Sequence, residues 1–430
     1  ESIAETARDV DLAIRWGYGW TLGPFETWQA AGWGQVAKWI SEDIAAGKTM
    51  ANAPLPAWVT DGRKGVHSAE GSYSAKTGKS VPRSSLPVYA RQLFPELLLG
   101  EMGEKGNTVF ETDAVRAWTA KGHDDVLIAS FKTKMHAISP DVAEGLQMAV
   151  DLAEKDYQGV VIWSGDEPFS AGADLQAMLP AFMTVGVSAI DEAEAHLQQT
   201  MLKLRYANVP VISAIRGLAL GGGCEIAVHS ARRVVAMESY IGLVEVGVGL
   251  VPGAGGLAYI ARRAAENAAT STDKDILKFL TEGFTAAAMA KVGTSAIESR
   301  KLGYVLDSDI IVPNKDELLY VALNEARAMY NAGYRPPHRR TFPVAGRNGK
   351  ATIQGQLVNM RDGGFISQHD FHIASLIAGV VTGGDVDANT LVTEEYLMAL
   401  ERKAFCSLLT HPKTQERIMG MLSTGKPVRN

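Results

Sequence analysis

Two glycine-bearing turns constrain this chain more than anything else in it. Phe169-Ser170-Ala171-Gly172-Ala173-Asp174-Leu175 comes shortly after the apolar run Val160-Val161-Ile162-Trp163. Gly217-Leu218-Ala219-Leu220-Gly221-Gly222-Gly223-Cys224-Glu225 follows the strand-like run Val211 to Ile215 and opens a helix. Glycine permits close backbone approach, so the two turns together can offer two backbone N–H groups to one oxygen. That is the equipment of an oxyanion hole, where developing negative charge meets donors already in place. The second turn also delivers Glu225, and Glu245 follows twenty positions later. Glu225 is followed by Ile226, Ala227 and Val228, and Glu245 lies among Leu243, Val244, Val246 and Val248. An unpaired carboxylate in such surroundings is costly, which makes both residues candidates for chemistry rather than for a solvated surface.

The rest of the chain alternates. Val126 to Phe131 and Val160 to Trp163 read as strands flanking a helix from Pro140 to Lys155, and Val211 to Ile215 and Arg233 to Met237 continue the pattern. Strand and helix in alternation point to an α/β core with parallel strands. With 430 residues, two or three units are expected, and the segments divide accordingly. Residues 1–50 carry apolar positions at helical spacing, a small all-helical unit. Residues 51–108, rich in proline and glycine with a turn at Lys76-Thr77-Gly78-Lys79, read as a linker with a hairpin. The core spans 109–335. Residues 336–430 begin as an insertion, to Asp387, and end in helices from Glu394 to Leu422.

A net charge of −6 gives no broad basic field, which argues against nucleic acid. The most apolar stretch, Val209 to Val228, holds Arg216, Glu225 and four glycines, so no membrane span is expected. Two cysteines, Cys224 and Cys406, cannot build a disulfide framework, and a cytoplasmic setting fits. The chain starts at Glu1 and runs directly into helix-like sequence, as the remainder of a longer polypeptide would.

In order, an Ala171-Gly172-Ala173-Asp174 turn, a Gly221-Gly222-Gly223-Cys224-Glu225 turn and a Glu245 upstream of Pro252-Gly253-Ala254-Gly255-Gly256 resemble the crotonase family, the enoyl-CoA hydratases and isomerases. The likeness runs from about Val109 to Arg335 and returns near Leu400. Near the start, Gly17-Tyr18-Gly19 and Gly23-Pro24-Phe25-Glu26 resemble the C-terminal helical domain of 3-hydroxyacyl-CoA dehydrogenases. These resemblances imply an α/β fold with a crotonase-like ββα spiral core, an N-terminal all-helical domain and C-terminal helices closing an acyl pocket.

They also imply roles. Glu225 would hold and activate water, Glu245 would serve as acid toward the α-carbon, and the N–H groups of Ala173 and Gly222 would form the oxyanion hole. Asp174 would brace its turn. Lys134, His136 and Ala137 occupy a loop that meets the nucleotide end of coenzyme A in the family. Ala171, Gly172, Gly221 and Met178 complete the expected substrate contacts, with Phe405 a further candidate for the acyl pocket.

The expected activity is hydration of 2-enoyl-CoA in fatty-acid β-oxidation, within a bifunctional parent that also oxidises 3-hydroxyacyl-CoA. A double-bond isomerase is the nearest alternative, and a non-catalytic module that dimerises or docks a thiolase is another. Acyl-CoA thioesters are the expected ligands, coenzyme A entering as part of the substrate, and a homo-oligomer and a thiolase partner are further expectations. No cofactor is expected in this chain, NAD belonging to the parent's missing domain. The glycines at 217–223 lack the spacing and the downstream acid of a dinucleotide fingerprint. His369 and His372 share a helix face without the further ligands a metal needs, and Arg335, Arg339 and Arg340 are a second candidate contact for phosphate.

Overall fold

A computed structural model describes residues 3–430. The chain separates into two compact units, Glu1–Lys105 and Gly106–Asn430.

In the first unit, helices α1 (Ala7–Tyr18) and α2 (Pro24–Ala45) are joined by the Gly23-Pro24-Phe25-Glu26 turn. Its logic is electrostatic. The buried carboxylate of Asp11 accepts from the backbone N–H of Phe25 at 2.8 Å and of Glu26 at 3.0 Å, capping the start of α2. Gly23 is required because a Cβ there would fall 2.4 Å from that of Asp11. The stretch from 51 onward is folded onto these helices. Strands β1 (His67–Ser68), β2 (Gly71–Ser74) and β3 (Lys79–Val81) form an antiparallel sheet. Gln29 accepts from Val66 and His67, Glu26 accepts from Leu99, and His67 Nε2 meets Asp11 at 2.6 Å. The hairpin is present, but within this unit 51–105 is structure rather than connector.

The second unit is built on a seven-stranded sheet. Strands β4 (Asn107–Glu111), β5 (Val115–Ala120) and β6 (His123–Phe131) form an antiparallel meander. From β6 onward every pairing is parallel, through β7 (Val160–Ile162), β8 (Val211–Leu220), β9 (Arg232–Gly242) and β10 (Ile310–Val312). Helices α3 (Pro140–Asp156), α4 (Leu175–Val185), α5 (Val187–Tyr206), α6 (Gly222–His229), α7 (Gly256–Thr270), α8 (Ile276–Ala288) and α9 (Ala296–Lys301) fill the crossovers. The α/β class expected from the alternation is the class observed.

Each turn of the chain also lays a second short segment past the end of its sheet strand. Ile138 pairs with Ala173, Ser170 with Ala219, and Ile241 with Gly293. Strand β8 itself shifts register between Ile215 and Gly217 before pairing Gly217–Leu220 with Ser239–Gly242. This second layer brings both glycine turns side by side.

Helix α10 (Leu318–Asn331) packs back on the sheet. The segment expected as an insertion forms α11 (Gly346–Asp362) and α12 (Gln368–Val381). It is integral to the core, since Ile373, Ala374, Ile377 and Ala378 of α12 are fully buried. The last helical run breaks at Pro412 into α13 (Glu394–Leu409) and α14 (Pro412–Thr424).

Candidate active site

The Ala173 and Gly222 N–H groups have no acceptor among the described residues. The backbone on either side of them is hydrogen-bonded. Ile138 donates to Gly172 O at 2.8 Å, Asp174 to Ile138 O at 3.0 Å, and Gly221 to Gly242 O at 3.0 Å. A Cβ on Gly222 would lie 3.8 Å from the Ala173 nitrogen, so the two donors border one small space. Gly172 has φ +103 and Gly221 φ +52, conformations that glycine alone adopts readily. Asp174 caps α4, accepting from Ala177 at 2.9 Å. Ala171 and Ala173 lie exposed on this turn, whereas Gly221 and Gly222 are buried.

Glu225 sits in the first turn of α6, 2 % exposed. Its Oε1 accepts from the N–H of Ala254 and of Gly256, both at 2.9 Å. Burial pushes its carboxyl up to about 7, against those two donors. The same loop is held from behind by Glu401, which accepts from Gly255 and Leu257 at 3.2 Å. Glu245 occupies a short helical turn, Glu245–Val248. A Cβ on Gly221 would fall 2.9 Å from its Oε1, so its carboxyl lies against the residue adjoining the Gly222 donor. Its Oε2 is buried and has no hydrogen-bond partner among the described residues. Burial first, then the charge of Glu225, holds this carboxyl well above the usual carboxylate range. Two carboxyls whose surroundings treat them differently can divide acid and base duties.

The turn bearing Glu245 is clamped from α14. Thr414 Oγ1 donates to Gly249 O at 2.8 Å, and the fully buried Arg417 donates to Val246 O at 3.0 Å.

A third carboxyl escaped the sequence reading. Glu194 of α5 is 5 % exposed, and a Cβ on Gly253 would come 2.7 Å from its Oε2. It shares the buried stripe of α5 with Ile190 and Gln198. An acid on a buried helical stripe was the available signal, masked by its acidic neighbours Asp191 and Glu192.

An apolar cavity of about 220 Å³ opens beside these groups, lined by Met178, Phe182, Ile190, Leu250, Ile418 and others from α4 and α14. Its wall begins at Leu175, two residues beyond Ala173, and includes Leu250, whose N–H bonds Glu245 O at 3.0 Å. Met178 therefore lines the cavity. Phe405 packs instead near Gly253. Lys134 is exposed and Ala137 half-buried. The His136 side chain is buried, bonded to Pro168 O and 3.3 Å from Asp166. Its backbone is engaged too, the N–H donating to Thr133 O at 3.0 Å and the carbonyl accepting from Ser170 Oγ at 2.7 Å, so the expected substrate contact is not available from this residue's side chain. Arg339 pairs with Glu395 and lies over the Tyr206 ring at 4.4 Å, and Arg335 donates to Tyr334 O. His369 and His372 do share a face, stacking with His411. Among the described residues no cluster suited to a metal occurs, and no helix is long and apolar enough to cross a membrane.

Residues 126–294 match the model of the enoyl-CoA hydratase/isomerase family. A probable 3-hydroxyacyl-CoA dehydrogenase of Bacillus subtilis is 34 % identical over 442 residues, covering all of this chain and 52 % of that protein. A putative fatty acid oxidation complex trifunctional enzyme of Rickettsia felis is 26 % identical, over 98 % of this chain and 50 % of its own length. A crotonyl-CoA hydratase of Syntrophomonas wolfei is 37 % identical over 136 residues, 30 % of this chain and 50 % of that protein. The chain spans about half the length of the first two of these curated relatives.

Proposed function

We propose that the part of the chain matching the enoyl-CoA hydratase/isomerase family, residues 126–294, belongs to a domain that adds water across the double bond of 2-enoyl-CoA thioesters. The observation that carries the reading is the meeting of two unpaired N–H groups, of Ala173 and Gly222, with two buried carboxyls held differently, Glu225 by two N–H donors and Glu245 with an oxygen that has no partner among the described residues.

The thioester oxygen would sit between the two N–H donors, which draw electron density from the conjugated double bond. Glu225, its Oε1 already held by Ala254 and Gly256, accepts a proton from water as the water oxygen bonds to Cβ. Glu245, held protonated by its surroundings, delivers its proton to Cα. One water is added, Glu225 ends protonated and Glu245 ionised, and proton exchange after product departure restores the pair. The apolar cavity beyond Met178 and Ile418 takes the acyl chain.

The names of the full-length relatives support a parent protein in fatty-acid oxidation that joins this activity to a 3-hydroxyacyl-CoA dehydrogenase. Homo-oligomerisation, a thiolase partner and a cytoplasmic location belong to the same proposal. Loss of the conjugated thioester absorbance of crotonyl-CoA on adding the protein tests the hydratase reading, and no loss at any protein concentration would refute it.

A further inference from the structure

Glu194 is a buried acid that the two-carboxylate scheme does not use. Along one face of α5, Ile190 forms wall of the apolar cavity, Glu194 follows one turn later, and Gln198 one turn after that donates to Gly253 O at 2.6 Å and Met398 O at 2.8 Å. The helix thus runs from the acyl cavity to the loop that holds Glu225. Glu194 Oε2 occupies the space over Gly253, and the next residue, Ala254, supplies one of the two N–H groups bound to Glu225. Glu194 itself has no hydrogen bond or ion pair among the described residues. The nearest cation, Arg402 of α13, is engaged with Asp191 at 2.9 Å and Gln198 at 3.1 Å.

We propose that Glu194 is a buried carboxyl beside the reaction centre, kept protonated during turnover so that, of these two acids, Glu225 is the one that ionises. It acts through Glu225, as a positioning residue for the proton rather than for the substrate. The reason is competition for charge. Acids sharing a water-poor site cannot all ionise, and the proton stays on those with the fewest donors. Glu225 has two N–H donors and Glu194 has none. Burial, with Glu225 adding, pushes the Glu194 carboxyl up to about 8. The titratable and charged groups facing it are Glu225 of α6, Glu245 beyond β9, Arg402 and Cys406 of α13, and Asp191 of its own helix, while Glu401 of α13 acts on Glu225.

This inference rests on the hydratase reading, and two measurements separate them. In the pH profile of kcat/KM for crotonyl-CoA, the intact protein should lose activity on the alkaline side near pH 8, as a second charge forms beside Glu225. Glu194→Gln, neutral at every pH, should move that limb upward by about one unit or more. An unmoved limb, or a neutral-pH loss as large as that of Glu225→Gln, overturns the proposal. The second measurement needs no turnover. Infrared titration of the intact protein should show a protonated-carboxyl stretch disappearing around pH 8 that is missing from Glu194→Gln. Hydration with no such difference between the two proteins overturns the assignment of Glu194 alone. The difference without hydration sinks the hydratase reading and leaves the assignment standing.

Discussion

Arg417 donates from Nη1 to the carbonyl oxygen of Val246 at 3.0 Å, so a helix near the end of the chain fixes the residue next to Glu245. The same guanidinium meets Asp370 at 2.8 Å with its other terminal nitrogen. Arg417→Met removes both contacts and leaves the largely buried Asp370 carboxylate with the N–H of Ser367 at 3.1 Å and Arg429 at 3.8 Å but without its closest cation. Breaking such a pair from one side costs about 3–5 kcal/mol. Denaturant unfolding should show a loss of that order, and an unchanged midpoint would mean that α14 does not secure the turn.

Ala173→Pro deletes one of the two donors to the expected thioester oxygen. Loss of a single oxyanion donor typically costs about 10²–10³-fold in kcat. The assignment to the missing N–H requires a structure of the variant with an unshifted turn. Full activity with the donor demonstrably absent would remove this hole from the mechanism.

Much of this arrangement was legible in the sequence, for a physical reason. An oxyanion turn must be made of consecutive small residues, so Ala171 to Asp174 and Gly221 to Glu225 are visible as local strings. Contacts made by distant residues leave no such string. Glu194 looks like one acid among several until the fold turns it inward, and its partner position Gly253 is fifty-nine residues away. The stretch 51–105 reads as a connector because its strands are two to four residues long. What ties it down is the set of bonds from Asp11, Glu26 and Gln29 on the helices. Likewise Arg417 and Thr414 reveal nothing of Glu245 until α14 is placed. His136 shows the converse, a loop in the expected place whose side chain is spent on Pro168 and Asp166.

Glu225 makes stability depend on pH in a definite direction. Its folded-state carboxyl is raised from 4.5 to about 7, so the folded protein binds this proton more tightly than the unfolded chain. The stabilisation is complete below the unfolded value and is lost as pH rises through the folded one. Glu225→Gln cannot ionise and escapes that loss. Its melting temperature relative to the parent should therefore climb between about pH 4.5 and 7 and level off above. A difference that falls over this range would show that the carboxyl is stabilised in its charged form.

The helical turn at Gly23-Pro24-Phe25-Glu26 is expected to belong to a dehydrogenase whose nucleotide domain lies elsewhere, so this chain should not bind NADH. Calorimetric titration checks it. Saturable heat in the micromolar range would place a nucleotide site within residues that the sequence reading assigned to other roles.

In the proposed reaction Glu225 and Glu245 carry protons in opposite directions across one double bond. Crotonyl-CoA hydration measured on the parent, Glu225→Gln and Glu245→Gln tests it most directly. Each variant should bind substrate and hydrate it roughly 10²–10⁴-fold more slowly, the scale of a positioned acid or base. Near-parental kcat in either variant, with binding intact, would contradict the division of labour.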